Sequence, residues 1–309
     1  MLYCKAIFKQ GSGLGNRLFP WARSRIFSYL HGIPMLASAW VQPRLGPLLR
    51  GGINLPAYHR QILLWGLFRA LPGDVRGLKK IYLEATTQPL PEPEDLVSLP
   101  KDLPREGRFV FYGDNGFFHP LLGYETFLLK QLREITLPVW LHQVDRVQSV
   151  PIGINVRLAK DFPAATPKDL LCPTGPVRTP IAWFVQALKA VRSEAGFPVK
   201  AYVVSDGSES DLQELLALGN IAFLRPGCAI SDLLVLSKSR ILLASGGSSF
   251  SAWASFLGRM PTISFPGQSL AWFRLGKSKP YVGEFDPGKP SQIFLSQVKQ
   301  ALHDAHAPK

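Results

Sequence analysis

Short apolar runs alternate with segments of helical periodicity along the second half of the chain. Apolar runs of this length, flanked by polar or turn-forming residues, are typical of strands buried on both faces of a parallel sheet. They predict strands at 152–156, 201–204, 221–224, 241–244 and 262–265. Between these strands, apolar residues spaced along one helical face predict the connecting helices. The alternation predicts a parallel, doubly wound α/β sheet.

Capping and stop residues set the expected ends of these helices. Thr179 is expected to cap the first of them, and Ser231 a short helix that begins at Asp232. Gly258 is expected to adopt the left-handed conformation that ends the helix after 248. A last helix is predicted over 291–303.

The first half of the chain alternates less regularly. It contains predicted strands at 2–8 and 108–112, helices at 18–30 and 124–134, a proline-rich loop at 88–107 and a hinge at 138–149. We therefore predict a first α/β domain over 1–148 and a second over 149–290. The remaining 291–309 would carry the last helix, which can cross back to the first domain.

A glycine turn joins the predicted strand 241–244 to the next helix. Gly246 and Gly247 let the backbone turn tightly, and Ser248 is a favoured N-cap residue. The N–H groups at such a helix start, together with the positive end of its dipole, attract anions such as phosphate. An ordinary strand–helix turn, in which Gly-Gly-Ser serves only geometry, is an equally good interpretation of these residues alone.

A second glycine-rich turn follows the first predicted strand. Gly13 and Gly15 would bring the backbone close to a ligand, with Asn16 pointing at that ligand. The spacing differs from that of the dinucleotide-binding fingerprint. Tight packing of the helix on the strand is the alternative explanation of the two glycines.

The carboxyl ends of parallel strands are where sheets of this kind bind ligands. Arg157 and Asp206 each follow a predicted strand, and the turn from Ser245 to Phe250 follows a third. An arginine beside a helix N-terminus suits a pyrophosphate, since its guanidinium adds bidentate contacts to the backbone donors. The alternative is that Arg157 forms a salt bridge, for instance to Asp161.

Candidate acid–base and metal-binding groups are few. Asp114 and His119 follow the predicted strand 108–112 and could face a cleft, although a turn that favours Asp-Asn-Gly is the simpler interpretation. The sequence contains no Asp-x-Asp pair, no His, Cys or Glu at metal-ligand spacing, and no Walker lysine. We therefore expect neither a metal ion nor a cofactor.

Composition adds a large positive charge to this picture. The 309 residues carry a formal net charge of +13, which favours an anionic partner such as a nucleotide, a nucleic acid or an acidic membrane surface. The three cysteines are widely spaced and give no disulfide framework, which favours a reducing cytoplasm. No apolar run approaches the ~20 residues of a membrane span, and lysines interrupt the apolar run at 1–10, so no signal peptide is expected.

Residues 40–80 interleave basic and apolar side chains and contain a single acid, Asp74. This mixture suits an interfacial segment on anionic lipid, which would make the protein peripheral on the inner face of a membrane. A core helix with a solvated basic rim is the alternative.

Three blocks of the sequence resemble those of the fucosyltransferase-like glycosyltransferases, which include α-1,2- and α-1,6-fucosyltransferases and protein O-fucosyltransferases. Residues 13–17 are similar to their G-x-G-N-[QR] element, and 153–157 to their H-x-R element, with Asn155 in place of the histidine. Ser205-Asp206, Asp232 and 248–253 resemble their S-D…D…N-S-S-F-S-x-W block. The blocks span nearly the whole chain in the same order.

The resemblance implies a GT-B fold, in which two Rossmann-like, doubly wound domains face a cleft. The domain 1–148 would lie on the acceptor side, and 149–290 would bind a nucleotide sugar. By the same resemblance, Arg157 would hold the diphosphate. The implied donor-binding residues are Asn16, Gly13, Gly15, Asn155, Asp206, Asp232, Ser248, Ser249 and Phe250.

We therefore expect a metal-independent, inverting glycosyltransferase. Its donor would be a nucleotide sugar, GDP-linked rather than UDP-linked and in the first place GDP-fucose. Its acceptor would be a hydroxyl of a glycan or lipid-linked glycan, in polysaccharide or glycolipid synthesis. Arg157 would act with a base, for which Asp161 and Asp114 are the candidates.

Two other functions remain open from the sequence. A basic nucleic-acid-binding α/β protein would explain the charge, but the chain has no basic-aromatic RNA motif and no helix-turn-helix, so we expect no nucleic-acid partner. A nucleotide- or sugar-binding module without turnover would share the binding residues. Nucleotide binding and donor turnover distinguish these classes.

Overall fold

The computed structural model describes residues 1–40, 66–158, 162–164, 166, 177–225, 228–275 and 280–303. The chain divides into two compact units, Met1–Leu141 and His142–Lys309. This division falls before 148, and the domain limits expected from the sequence stay predictions. Asp161 and residues 41–65, the first part of the basic segment, lie outside the described residues.

A small parallel sheet organises the first unit. Its strands lie in the order β1-β3-β2 and comprise β1 (Leu2–Ile7), β2 (Pro89–Leu90) and β3 (Gly107–Tyr112). The helices here are α1 (Leu14–His31), α2 (Gly77–Thr86) and α3 (Glu125–Ile135), with a 3-10 turn at His119–Leu121. Because Ile7 lies opposite Tyr112 in parallel pairing, the turns that follow β1 and β3 leave the same edge of the sheet. The segment 138–149, predicted as a hinge, contains helix α4 (Pro138–Asp145), and the division between the two units falls within it.

Two arginines of α1 are buried and paired within the first unit. Arg23 pairs with Glu92 and donates to the carbonyl oxygen of Tyr112 at 3.0 Å. Arg25 forms a bidentate pair with Asp74, in which both N–O distances are 2.8 Å. A buried charge is tolerated when it is paired and hydrogen-bonded. These contacts therefore fasten α1 to the end of β3 and to the segment before α2.

A six-stranded parallel sheet organises the second unit. Its order is β6-β5-β4-β7-β8-β9, formed by β4 (Val150–Val156), β5 (Ala201–Ser205), β6 (Ile221–Phe223), β7 (Ser239–Ala244), β8 (Thr262–Ser264) and β9 (Val282–Glu284). The helices are α5 (Ile181–Ala195), α6 (Gln213–Leu216), α7 (Ala229–Leu236), α8 (Ser249–Gly258) and α9 (Gln292–His303). Further 3-10 turns lie at Ser210–Leu212 and Ala271–Phe273. The predicted parallel α/β sheet is confirmed, and β9 adds an edge strand that was not predicted.

Helices cover both faces of this sheet. On one face, Ile154 and Leu243 belong to an apolar cluster that includes Val298 of α9. The last helix, for which a return to the first domain was predicted, therefore packs in the second unit. On the other face, the hydroxyls of Ser255 in α8 and Thr262 in β8 are 2.8 Å apart. The doubly wound prediction is thus confirmed.

Two helix starts differ from the prediction. The Thr179 hydroxyl donates to Oε1 of Gln268 at 2.7 Å and makes no cap bond to α5. Helix α7 begins at Ala229, not at Asp232, so Ser231 lies inside the helix and is fully buried. For Thr179, a contact distant in sequence outweighs the local capping preference. For Ser231, the burial of a helix turn does so.

The end of α8 also differs from the prediction. Arg259, with φ of 51°, adopts the left-handed conformation, and Gly258 is the last helical residue. Gly258 serves a different purpose, because a Cβ there would lie 2.4 Å from the carbonyl oxygen of Ser237. The glycine allows α8 to approach the end of α7 closely.

The buried cysteines predict how stability depends on pH. Burial raises the pKa of Cys4 to about 12 and that of Cys228 to about 11, whereas an unfolded thiol titrates near ~8.5. As the pH rises, the unfolded state loses these protons first. We expect the free energy of unfolding to fall above pH ~8.5 by about 1.4 kcal/mol per pH unit for each thiol, until the folded pKa is reached.

Urea unfolding between about pH 7 and 10 measures this slope. Other groups titrate in the same range, so the double variant Cys4→Ala/Cys228→Ala is the reference. Its stability should fall less steeply with pH than that of the native protein. Equal slopes would contradict the expected role of the two thiols.

Candidate functional site

Three loops of the second unit meet at the carboxyl edge of its sheet. Strand β4 pairs with β5 on one side and with β7 on the other, both in parallel. The residues that directly follow these strands are Arg157, Asp206 and Ser245. Parallel pairing in register brings all three to one place, as the sequence predicted.

Arg157 is fixed by Asp206. Its Nη1 lies 2.6 Å from Asp206 Oδ2, and the carboxylate is only 5% exposed. The other carboxylate oxygen accepts the N–H of Leu158 at 2.6 Å. The guanidinium also lies over the ring of Phe162, 5.2 Å from its centroid. Arg157 thus forms a salt bridge, but with Asp206, a residue expected only to bind the donor. Asp161, the partner named as the alternative, lies outside the described residues.

Ser245 ties the end of β4 to the glycine turn. The N–H of Arg157 donates to the Ser245 hydroxyl at 2.9 Å, and the N–H of Ser245 donates to the carbonyl oxygen of Asn155 at 3.0 Å. This reciprocal pair holds the backbone of Arg157 beside the turn that leads into α8. The arginine and the turn are therefore parts of one structure.

The two glycines of the turn serve different needs. Gly247 has φ of 66°, a conformation that favours glycine. Gly246 has an ordinary backbone conformation but no space for a side chain, because a Cβ there would lie 2.2 Å from both the Cβ and the carbonyl oxygen of Gln268. Gln268 and its partner Thr179 thus pack directly behind the turn, a contact that no sequence pattern indicates.

Helix α8 begins as predicted. Ser248 is its N-cap, and its hydroxyl accepts the N–H of Ser251 at 3.3 Å. The first intrahelical bond joins the N–H of Ala252 to the carbonyl of Ser248. The N–H groups of Ser249 and Phe250 precede it, and both residues are partly exposed. The helix start therefore offers backbone donors and its dipole at the edge where Arg157 lies.

Asn155 lies beneath the turn. Its Nδ2 donates to the Ser251 hydroxyl at 2.6 Å, and the residue is 1% exposed. This bond joins β4 to the first turn of α8. Asn155 therefore positions the helix start, and its assignment to donor binding stays a prediction from the resemblance.

Asp232 also lies below the surface. It is the fourth residue of α7, in the first turn of that helix, and it is 1% exposed. Asp232 is therefore buried, whereas the Arg157 side chain is partly exposed at the sheet edge.

The candidates of the first unit lie at the carboxyl edge of their own sheet. Helix α1 begins directly after Gly13, its N-cap, so that Gly15 and Asn16 belong to its first turn, with Asn16 exposed. Asp114 is exposed in the turn that follows β3, where its carbonyl accepts the N–H of Phe117 at 2.8 Å. In the described ranges, no group of three or more His, Cys, Asp or Glu residues is arranged to hold a metal ion.

Comparisons with known proteins identify a common fold. No family model matches the sequence, and no curated protein matches it. The crystal structure of fucosyltransferase NodZ from Bradyrhizobium is similar to this chain with a TM-score of 0.50 and 14% identity, covering 85% of this chain and 96% of that one. NodZ α-1,6-fucosyltransferase co-crystallised with GDP has a TM-score of 0.50 and 15% identity, covering 85% of this chain and 94% of that one. The chain therefore has the GT-B fold of these fucosyltransferases, as the sequence blocks implied.

Proposed function

We propose that this protein is a metal-independent, inverting glycosyltransferase that moves fucose from GDP-fucose to a hydroxyl of a glycan acceptor. The observation that carries the proposal is the position of Arg157 beside the turn that begins α8. We call this arrangement the junction, and the hydrogen bond from the Arg157 N–H to the Ser245 hydroxyl holds it at one sheet edge. The fold shared with fucosyltransferases supports the same reaction class.

The junction suits a diphosphate leaving group. Negative charge grows on the diphosphate as the bond to the sugar breaks, so a catalyst must stabilise that charge. Arg157 supplies a permanent positive charge in a planar group that can contact two oxygens. The N–H groups of Ser249 and Phe250 add donors at the positive end of the helix dipole. A cation and oriented donors together are the requirements for such a step without a divalent ion.

Binding of the diphosphate would exchange one anion for another on Arg157. Asp206 pairs with the guanidinium. The N–H of Leu158 holds the second oxygen of that carboxylate, so Asp206 can keep a partner when the diphosphate takes its place. The serine-capped turn beside Arg157 then contacts the phosphate oxygens.

The acceptor hydroxyl must lose a proton to a base. Asp114 and Asp161 are the proposed bases, and Asp114 is exposed at the carboxyl edge of the first sheet. A glycan or lipid-linked glycan is the proposed acceptor, and the cytoplasm the proposed location. GDP is the proposed nucleotide because a protein of the same fold is crystallised with it; a UDP-linked donor is the second choice.

Thermal unfolding in the presence of GDP, UDP, CMP and dTDP tests the nucleotide. A ligand at a hundred times its Kd stabilises the folded state by about 2.7 kcal/mol, which raises the Tm of a unit of this size by roughly 5–10 °C. We expect the largest rise with GDP, a smaller one with UDP and the same rise in EDTA. Absence of any rise with nucleoside diphosphates would contradict the proposal.

Transfer from GDP-fucose in EDTA then tests the reaction. We expect release of GDP and unchanged transfer when divalent ions are removed. Loss of transfer in EDTA would contradict the metal-independent step. If GDP binds but GDP-fucose is neither transferred nor hydrolysed, the protein is a binding module without turnover.

A further inference from the structure

Helix α2 exposes a stripe of large apolar side chains. Leu78, Ile81 and Tyr82 are 85%, 63% and 66% exposed, and their spacing places them on one face of the helix. The opposite face buries Leu83 in a small cluster with Tyr3 and other apolar residues. No helix in the described ranges is long and apolar enough to cross a membrane. The exposed stripe is thus the outer face of a surface helix.

The side chains around this stripe are basic. Arg76 at the start of α2 and Lys79 within it are exposed. The two acids between 66 and 86 are already engaged. Asp74 is buried against Arg25, and Glu84 lies 3.0 Å from Lys5 and 3.8 Å from Lys80.

We propose that the outer face of α2 docks on an anionic lipid surface. An apolar stripe flanked by lysine and arginine is the pattern of helices that lie in the membrane interface. The apolar residues enter the acyl boundary, while Arg76 and Lys79 reach the negative headgroups. Tyr82 suits the same depth, because its ring is apolar and its hydroxyl polar. The proposal concerns a surface of the first unit and does not depend on the proposed reaction.

The charge distinguishes lipid from a second copy of the chain. In a two-fold dimer the same patch meets itself, so the Arg76 and Lys79 side chains of both copies would come together. Like charges across an interface disfavour association. Anionic headgroups instead attract both residues.

Co-sedimentation of the full chain with vesicles tests the proposal. Native protein should pellet with phosphatidylcholine vesicles that contain a quarter phosphatidylglycerol, and far less with phosphatidylcholine alone. Ile81→Glu should lower binding to the anionic vesicles on the order of tenfold, since it puts a negative charge in the apolar stripe. Ile293→Glu is the matched control, because Ile293 is 65% exposed on α9, and it should bind like the native protein.

A second pair of variants separates charge from apolar contact. Arg76→Gln/Lys79→Gln should weaken binding to the anionic vesicles and reduce its sensitivity to salt. The proposal is overturned if native protein does not pellet with anionic vesicles, or if Ile81→Glu and Ile293→Glu lose binding equally. A dimer in sedimentation equilibrium that Ile81→Glu dissociates would assign the face to a second copy instead. A circular dichroism spectrum and a Tm like those of the native protein show that Ile81→Glu folds, and a failure of vesicle binding leaves the proposed donor site untouched.

Discussion

Arg157→Ala should weaken GDP binding on the order of a hundredfold, about 3 kcal/mol, and should slow transfer by about a thousandfold. The guanidinium belongs to a residue whose backbone is held beside the start of α8 by Ser245. Removing it leaves neutral backbone donors to stabilise the leaving diphosphate. Titration calorimetry with GDP measures the first effect, and release of GDP from GDP-fucose measures the second.

The controls for this variant follow from its partner. Without Arg157, the nearly buried carboxylate of Asp206 keeps only the N–H of Leu158 as a partner, which can cost about 1–3 kcal/mol of stability. The double variant Arg157→Ala/Asp206→Asn removes that unpaired charge and should fold, yet still bind GDP poorly. Asp206→Asn alone should bind GDP more tightly than the native protein, because the competing anion is gone. Native-like GDP binding by the double variant would refute the role of Arg157.

Gly246→Ala should destabilise the second unit and weaken GDP binding together. A Cβ at this position would lie 2.2 Å from the carbonyl oxygen of Gln268, so either the turn or Gln268 must move. Overpacking of this kind costs about 1–3 kcal/mol, which lowers the Tm by roughly 2–12 °C in a unit of this size. Displacement of the turn also moves the start of α8 away from Arg157. Thermal unfolding and GDP calorimetry on one preparation measure both effects.

Gly73→Ala is the matched control for the glycine substitution. No atom lies within 4 Å of an added Cβ at Gly73, and its φ is not in the left-handed range. The same chemical change should therefore leave the Tm and GDP binding near their native values. If Gly246→Ala is as stable as Gly73→Ala and binds GDP equally well, the turn tolerates a side chain. The close packing against Gln268 is then not needed for stability or GDP binding.

Features encoded in neighbouring residues were predicted well. The buried strands β5 and β7 contain short, uninterrupted apolar runs, a signal that does not depend on the rest of the chain. The start of α8 was predicted because Ser248 caps a helix whose own first turn supplies the partner N–H. The short edge strand β9 has only three residues, none of them buried, and gives no comparable run.

Features that depend on distant contacts were missed. The pairing of Arg157 with Asp206 requires β4 and β5 to be neighbours in register, which composition and spacing do not specify. Thr179 was expected to cap a helix, but its hydroxyl reaches Gln268 in a loop far along the chain. The bond from Asn155 to the Ser251 hydroxyl was not predicted either, because it follows only from the packing of α8 on β4.

The Arg157–Asp206 pair also bears on product inhibition. Under the proposed reaction, donor and product would both compete with Asp206 for the guanidinium. The carboxylate lies 2.6 Å from Nη1 of Arg157, so it would keep the cation paired as the product leaves. Such a counterion would favour release of the product over its tight retention.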